Sequence, residues 1–447
     1  MSPPASRLVC GGCGAAPGPR DPYPFRCPHA GEGDVDHVLV RILDLDRVRF
    51  PEGPAATGTP FVHYRGLLHS HHRATAAGVS DDEVVEIAVR LDDAVARVAG
   101  RGFRVTPFGR DDTLSDRLGF SAAGGVWVKD ETGNVSGSHK GRHLMGVLLH
   151  LEMAERLGLA DPGTRPDLAI GSCGNAALAA AVLARAADRT LRVFVPVDAD
   201  PGVLSGLREL GADVVTCPRT PGTPGDPAYV RLRDELAAGA LPFTCQGSEN
   251  GLVIEGGETL AYEMVSGLRA EGTALDHLVV QVGGGALASA CLQAFEEAVG
   301  LGALDRRPRT HTVQTTGGHP LERAYGRVRA TLGEGAVDLD AALHEAATHR
   351  SAYMWPWEGE PRSIATGILD DETYDWRAVV EGMLATGGRP LVVSEECLAR
   401  AHDLGHAAGY AAEPTGTAGL AGLLDLVAGG EVGPDDRVGV LFTGVDR

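Results

Sequence analysis

Short apolar runs rich in β-branched residues alternate along the chain with Ala- and Leu-rich runs in which apolar residues recur at helical spacing. The alternation begins near residue 125, where strands are predicted at 126–129, 168–171 and 192–197, and a helical run follows each of them. Strands that alternate with helices form βαβ units with a mostly parallel sheet. The strands are almost continuously apolar, as expected when helices cover both sheet faces. The pattern therefore predicts an α/β fold.

The same pattern continues through the second half of the chain. Further strands are predicted at 213–217, 278–282, 310–315, 390–394 and 437–442. Residues 318–388 show a less regular pattern, which predicts a loop-rich insertion.

Length and charge narrow the class of protein. A chain of 447 residues, 43% of them hydrophobic, is long enough for two domains with ordinary cores. Acidic residues exceed basic ones by 60 to 40, which disfavours nucleic acid and anionic membranes as partners. The longest apolar stretches, such as 176–184, are too short to span a membrane. Eight scattered cysteines without an export signal predict free thiols in the cytoplasm.

Glycine-rich turns are the first candidate for chemistry. Gly171 to Asn175 follow one predicted strand, and Gly283-Gly284-Gly285 follow another. Ligands of parallel sheets bind at the carboxyl ends of strands, and amides without a neighbouring Cβ attract anions. The turn at 283–285 lacks the acidic residue of a dinucleotide site and the Gly-Lys-Ser/Thr of a phosphate loop. Taken alone, it is either an anion site or a plain tight turn.

Lys140 begins a strongly apolar predicted helix at 140–157. The helix dipole disfavours an ammonium group at that end, which helps the side chain react as the neutral amine that Schiff-base chemistry requires. The alternative is a solvated lysine, the usual fate of this residue.

Five sequence blocks carry a resemblance to a known family. They are KDETGNVSGSHK at 129–140, SCGN at 172–175, GGG at 283–285, EPTG at 413–416 and FTG at 442–444. In this order the blocks resemble the fold type II pyridoxal-phosphate enzymes, which include threonine synthase, serine/threonine dehydratase, cysteine synthase and the tryptophan synthase β chain. The resemblance implies a two-domain, three-layer parallel-sheet fold of the tryptophan synthase β-like type, with pyridoxal 5'-phosphate as cofactor.

The resemblance also assigns cofactor contacts. Lys140 occupies the position of the lysine that binds the cofactor covalently, and Asn175 that of a residue bonded to its phenolic oxygen. Thr443 matches a neutral hydroxyl at the pyridine nitrogen, which suits prompt loss of a β leaving group. The cofactor phosphate is expected at His139, Gly283, Gly284, Gly285, Ala286 and Leu287.

The substrate side follows from the same resemblance. The turn expected to hold the substrate carboxylate consists of Ser172, Cys173, Gly174 and Asn175. The implied domains are an N-terminal segment 1–36, a larger domain of 37–140 with 248–447, and a smaller mobile domain 141–247. A small amino acid is the expected substrate, and a homodimer is the expected assembly.

Two reaction types remain open at this point. The first is β-elimination or β-replacement on an α-amino acid, as in serine/threonine dehydratases. The second is a threonine synthase-like γ,β-replacement on O-phosphohomoserine, which needs a second anion site. HKGR at 139–142 departs from the FKDR that is more usual in threonine synthases. Arg65 and Arg142 are the candidates for the second anion, and both can equally be surface residues.

Two further interpretations compete with catalysis at Lys140. Cys173, placed after a strand and at a helix N-terminus, has the position of an acidified thiol in a cysteine hydrolase, although the sequence indicates no histidine base. A protein that holds the cofactor without turnover is the other alternative, and the intact Lys140 and Asn175 argue against it.

The N-terminal segment has the residues of a zinc site. Cys10 and Cys13 have a chelating spacing, and Cys27 with His29 completes a set of four ligands. His37 is an alternative fourth ligand, and free thiols in a loop are the alternative to a metal.

Overall fold

The computed structural model describes residues 3–53, 58–219, 225–333 and 337–446. The described chain forms three sheets. A two-stranded antiparallel sheet (β1-β2) lies near the N-terminus, a six-stranded sheet has the order β11-β10-β9-β12-β4-β3, and a four-stranded sheet has the order β7-β6-β5-β8. The strands are β1 (Ser6–Cys10), β2 (Leu39–Leu43), β3 (Phe108–Asp111), β4 (Gly125–Asp130), β5 (Leu168–Gly171), β6 (Leu191–Pro196), β7 (Asp213–Cys217), β8 (Leu241–Pro242), β9 (His277–Gln281), β10 (Arg309–Thr315), β11 (Pro390–Val393) and β12 (Arg437–Phe442).

Helices lie between most of the parallel strands, and each takes its label from its order in the chain. The helices are α1 (Pro60–His63), α2 (His69–Ala76), α3 (Asp81–Ala99), α4 (Asp112–Arg117), α5 (Lys140–Arg156), α6 (Asn175–Ala186), α7 (Pro201–Glu209), α8 (Pro227–Ala237), α9 (Val253–Glu271), α10 (Ala286–Gly300), α11 (Pro320–Leu332), α12 (Leu339–Thr348), α13 (Trp376–Thr386), α14 (Glu395–Ala407) and α15 (Pro414–Ala428).

The apolar strands of the sequence form the buried centres of the two larger sheets. All five residues of β9 are buried, because α9 and α10 pack beside it and α15 lies against it. β3 is the antiparallel strand at one edge of the six-stranded sheet, and every other pairing of that sheet is parallel. The predicted α/β architecture with mostly parallel sheets is confirmed.

The two larger sheets come from different parts of the chain. The four-stranded sheet uses strands between residues 168 and 242, and the six-stranded sheet uses strands on both sides of that range. The domain boundaries at 36, 140 and 247 stay a prediction. None of the helices in the described ranges is long and apolar enough to cross a membrane.

The prediction of a loop-rich insertion at 318–388 is confirmed in part, because residues 349–375 between α12 and α13 are mostly irregular. α11, α12 and α13 occupy much of this range, and their buried faces belong to the core beneath β9 and β10. Charged residues interrupt the apolar pattern of α11, which weakens its signal in the sequence. Among the described residues of this range, the longest irregular stretch lies between α12 and α13 and contains two short 3₁₀ turns.

Candidate functional site

A cleft of about 610 Å³ lies at the carboxyl ends of β5 and β9, which belong to different sheets. This volume suits a cofactor together with a small substrate. The cleft brings together the predicted cofactor and substrate residues, although they are distant in sequence. Its lining includes His139, Lys140, Ser172, Cys173, Gly174, Asn175, Gly283, Gly284, Gly285, Ala286, Leu287 and Thr443.

Lys140 is half-buried at the first position of α5. Its backbone N–H donates to Ser138 Oγ at 3.3 Å, which supports the start of the helix. Most of the remaining α5 residues are buried, and the helix packs along α9. The lysine therefore projects from a rigid element into the cleft.

Arg142 follows Lys140 by two residues in α5 and lies beneath the cleft without lining it. Its guanidinium is fully buried, with Nε 2.9 Å from Glu131 Oε2 and Nη1 2.6 Å from Glu263 Oε1. Burial alone would raise the pKa of Glu131, but Arg142 and Lys129 lower that pKa to about 2. The group is an ion network that fixes α5 and has no free charge for a ligand.

Arg65 is also absent from the cleft, because its Nη2 pairs with Asp81 Oδ2 at 2.5 Å. The structure thus places neither predicted second-anion residue in the site. A guanidinium that the sequence did not single out, that of Arg219, does line the cleft.

His139 and Thr443 form a buried pair at the cleft. Thr443 Oγ1 accepts from the backbone N–H of His139 at 3.0 Å and lies 2.6 Å from the Nδ1 atom of its ring. Burial, with Lys140 nearby, holds the pKa of His139 well below its usual range, so the ring is neutral. Nε2 of this ring is buried without a hydrogen-bond partner among the described residues. Because His139 lines the cleft, this nitrogen is a candidate partner for a ligand atom.

The glycine turn between β9 and α10 is fixed from behind by an irregular segment. Thr373 Oγ1 donates to the carbonyl of Gly283 at 3.0 Å, and the N–H of Asp375 donates to the carbonyl of Gly284 at 3.0 Å. Gly285 has φ +101°, a conformation that favours glycine, and a Cβ there would lie 3.0 Å from Asp375 Cβ. The turn is therefore rigid and exposes backbone amides to the cleft.

A carboxylate already lies at this turn. Asp370 accepts a hydrogen bond from the N–H of Gly284, and a Cβ on Gly283 would overlap its Oδ2. Burial raises the pKa of Asp370 to about 6, with Lys140 opposing the shift. Three features of this wall suit a phosphate group. The Gly284 amide donates to an acidic oxygen, the glycine amides have no side chains beside them, and Nε2 of His139 has no partner among the described residues. Asp370 carries the same charge sign as that phosphate and was not indicated by any sequence motif.

The facing turn, Ser172 to Asn175, is more exposed. The N–H of Ser172 donates to the carbonyl of Phe194 at 3.0 Å, and the N–H of Gly174 lies 3.5 Å from Ser172 Oγ. Asn175, the first residue of α6, donates from Nδ2 to Glu413 Oε1 at 2.5 Å. Glu413 was part of a motif in the sequence, but its contact with Asn175 across the cleft was not predicted.

The structure argues against an acidified Cys173 thiol. The residue is exposed to the cleft, but desolvation by the cleft walls, with Asp226 and Asp198 nearby, raises the pKa of its thiol. A helix N-terminus alone would lower that pKa, and here the surrounding carboxylates outweigh it. A nucleophilic thiolate is therefore disfavoured.

The N-terminal cysteines cluster with His37. Ligand atoms of Cys10, Cys13, Cys27 and His37 all lie within 4.8 Å of one another. Cys10 Sγ is 3.7 Å from His37 Nδ1, and Cys13 Sγ is 3.5 Å from Cys27 Sγ. The edges of a tetrahedron with Zn–S bonds of about 2.3 Å are about 3.8 Å long, close to these separations.

The structure places the predicted ligand His29 apart from the three cysteines. It is exposed, lies outside this cluster and contacts Glu32 Oε2 at 3.1 Å. The reason is strand pairing: β1 and β2 place Cys10 opposite Leu39, which brings His37 beside Cys10.

Comparisons with known proteins agree with this site. Residues 100–444 match the family described as pyridoxal-phosphate dependent enzyme. Threonine synthase of Mycobacterium leprae is 28% identical over 342 residues, 76% of this chain and 80% of the relative. Threonine synthase of Methanocaldococcus jannaschii is 25% identical over 341 residues, 76% of this chain and 74% of the relative.

Solved structures show the same fold at lower sequence identity. Diaminopropionate ammonia lyase from Escherichia coli gives a TM-score of 0.58 at 17% identity, covering 81% of this chain and 88% of that chain. Threonine deaminase isoform 2 from Solanum lycopersicum gives a TM-score of 0.58 at 16% identity, covering 83% of this chain and 92% of that chain. The tryptophan synthase β-like fold expected from the sequence is confirmed.

Proposed function

Since the chain belongs to the family of pyridoxal-phosphate-dependent enzymes, we propose that the cleft holds the cofactor at Lys140 and acts on the α-carbon of a small amino acid. The observation that carries this proposal is the convergence of Lys140, the turn at 172–175 and the glycine turn at 283–285 on one cleft. When bound, pyridoxal phosphate withdraws electrons from the bond that breaks at the α-carbon of an amino acid.

The glycine wall would hold the cofactor phosphate. Backbone amides of Gly283, Gly285 and the first turn of α10 can donate to the phosphate oxygens, whereas that of Gly284 already donates to Asp370. The Thr443 hydroxyl can donate to His139 Nδ1 while it accepts the His139 backbone N–H. In that tautomer Nε2 carries the ring proton and donates it to the ligand in the cleft. Thr443 would serve the pyridine nitrogen as a neutral donor only in the opposite tautomer, in which His139 Nδ1 carries the ring proton and donates to the Thr443 hydroxyl oxygen.

The opposite wall would hold the substrate. Amides and the hydroxyl of Ser172 to Asn175, at the start of α6, suit a carboxylate. Lys140 Nζ is then the base that takes the proton from the substrate α-carbon and later returns one. Asn175, tied to Glu413, orients the cofactor's phenolic oxygen.

The reaction proposed is β-elimination or β-replacement, as in a serine/threonine dehydratase-like lyase. Its support is the wall opposite the glycine turn, where Asp198 and Asp226 lie near Cys173. These carboxylates disfavour a substrate with a second anion.

The visible spectrum of the purified protein tests the cofactor assignment. We expect near-visible absorption that shifts with amino acids, and borohydride should fix the cofactor on Lys140. The Lys140→Ala variant should not form the covalent adduct, and its turnover should fall by at least about a thousandfold. Full cofactor occupancy with no spectral response to any amino acid would instead support a non-catalytic holder. Loss of activity in Cys173→Ala with an unchanged spectrum would support a thiol hydrolase.

A threonine synthase-like reaction on O-phosphohomoserine is the second candidate. The curated relatives are threonine synthases, and Arg219 lines the cleft. Release of inorganic phosphate from O-phosphohomoserine, measured beside ammonia release from serine and threonine, separates the two reactions. An increase of KM in Arg219→Gln confined to the phosphorylated substrate would decide for the second candidate.

A zinc ion is proposed for the N-terminal cluster. Cys10, Cys13, Cys27 and His37 have the ligand types and separations of a closed tetrahedral structural site. Metal analysis of the purified protein should find one zinc per chain, and His37→Ala should lose it. His29→Ala is the matched control and should keep it. One zinc retained in His37→Ala would contradict this ligand set.

A cytoplasmic homodimer completes the proposal. None of the eight cysteines forms a disulfide, which suits a reducing compartment. Light scattering of the purified protein measures the assembly directly.

A further inference from the structure

We infer that Asp36 is a positioning residue that connects the N-terminal metal cluster to the glycine turn that holds the cofactor phosphate. This inference rests on the cofactor and zinc sites proposed above. Asp36 touches neither substrate nor cofactor, because it does not line the cleft. Its effect would be on the affinity for pyridoxal phosphate.

Asp36 is a buried carboxylate at the centre of three contacts. Its backbone N–H donates to the carbonyl of Ala347 at 2.8 Å. Trp376 Nε1 donates to Asp36 Oδ1 at 3.2 Å, and Arg350 Nε lies 3.4 Å from the same oxygen. The residue is only 3% exposed, so the loss of these contacts would leave buried polar groups unpaired.

One end of the connection is the metal cluster. Asp36 directly precedes His37, the histidine ligand. Gly12, between two of the cysteine ligands, packs so closely on the Asp36 carbonyl that a Cβ there would overlap it. The N–H of Gly11 donates to the carbonyl of Val38 at 2.9 Å. A metal that fixes the cysteines and His37 therefore also fixes Asp36.

The other end is the glycine turn. Trp376, the partner of Asp36, is fully buried and directly follows Asp375. Asp375 donates its N–H to the carbonyl of Gly284, and Thr373 bonds the carbonyl of Gly283. Through Trp376, Asp36 therefore holds the segment that sets the orientation of the turn.

The consequence is a cofactor site whose rigidity depends on a distant carboxylate. A turn that is already rigid loses less conformational entropy when it binds phosphate. Without Asp36, the segment at 373–376 should fluctuate more, and binding would carry the cost of ordering it.

Titration of pyridoxal phosphate into cofactor-free protein tests the inference. Asp36→Ala should raise the dissociation constant about tenfold, which corresponds to ~1.4 kcal/mol. Asp36→Asn, which keeps the acceptor for Trp376 but not the charge for Arg350, should show a smaller rise. Asp34→Asn is the matched control, since the Asp34 carboxylate accepts from Ser351 at the surface. A folded Asp36→Ala protein with the wild-type dissociation constant overturns the inference.

Two further measurements distinguish a failure of this inference from a failure of the proposed cofactor and zinc sites. Amide hydrogen exchange at Gly283–Gly285 in cofactor-free protein should be faster in Asp36→Ala, whether or not the cofactor proposal holds. Unchanged exchange contradicts the connection even if the variant binds cofactor weakly. Zinc retained by Asp36→Ala, with weak cofactor binding, would show that the effect passes through Asp36 and not through metal loss. If Asp36→Ala does not fold, Asp36→Asn carries both measurements.

Discussion

The two turns that face each other across the cleft are built differently. The turn at 283–285 has its carbonyls held by Thr373 and Asp375, and side chains fill the space beside its glycines. The turn at 172–175 is partly exposed, and a Cβ on Gly174 would meet nothing within 4 Å. A rigid wall suits a group that stays bound through many turnovers, and an open wall suits a substrate that enters and leaves.

The largest expected effect comes from adding a methyl group to the rigid wall. Gly285→Ala should lose roughly 1–3 kcal/mol of stability, because Gly285 has φ +101° and its neighbours leave no room. We expect cofactor affinity to fall by about a hundredfold. Thermal unfolding and cofactor titration measure the two effects.

Gly174→Ala is the matched control on the open wall, where φ is −132° and the surroundings are empty. Its melting temperature should stay within about 2 °C of wild type. Equal losses of stability in Gly285→Ala and Gly174→Ala would contradict the difference in rigidity between the two turns.

A smaller effect is expected from the carboxylate on the rigid wall. Asp370→Asn keeps the size of the side chain and removes a charge that repels the cofactor phosphate. Cofactor should bind about tenfold more tightly at pH 8. Weaker binding in this variant would mean that Asp370 helps to hold the site and does not compete with the phosphate.

The same carboxylate predicts a dependence on pH. Burial raises the pKa of Asp370 to about 6, so the folded protein binds this proton more tightly than the unfolded chain. The stability that protonated Asp370 contributes is therefore present below about pH 4 and is lost as pH rises through 6. Cofactor affinity should also fall over pH 5–7, by about three- to fivefold, and the fall should be shallower in Asp370→Asn. Parallel profiles in the two proteins would assign the titration to another group.

The smallest effect is expected at the thiol on the open wall. Desolvation, with Asp226 and Asp198 nearby, raises the pKa of Cys173, so we expect turnover without its thiolate. Cys173→Ser should change kcat by less than about threefold, because serine keeps a small polar group at the turn. A loss above a hundredfold would restore the nucleophile interpretation.

The fold and much of the site could be predicted from the sequence. Parallel strands have continuous apolar runs, and the residues at their carboxyl ends meet at one edge, so Lys140 and the glycines were found from local pattern and motif order. The sequence left open which histidine joins the three N-terminal cysteines, because the choice between His29 and His37 depends on the pairing of β1 with β2.

The remaining parts of the site depend on tertiary packing that leaves no local signal. Asp370, Thr373 and Asp375 lie in an irregular segment without hydrophobic period, and only the folded chain brings them to the glycine turn. Arg142 was interpreted as a surface or cleft residue, because a single arginine in a helix does not reveal two buried glutamates from β4–α5 and α9. Sequence motifs identify residues that touch ligands better than residues that support them.

The short distance between Cys13 Sγ and Cys27 Sγ, 3.5 Å, has a chemical consequence. An oxidant such as hydrogen peroxide would have to draw these sulfurs about 1.5 Å closer to form a disulfide of about 2.05 Å. If the cluster binds zinc as proposed, that bond would remove two of its four ligands in one event. Peroxide would then release zinc first and cofactor afterwards, although neither sulfur lines the cleft.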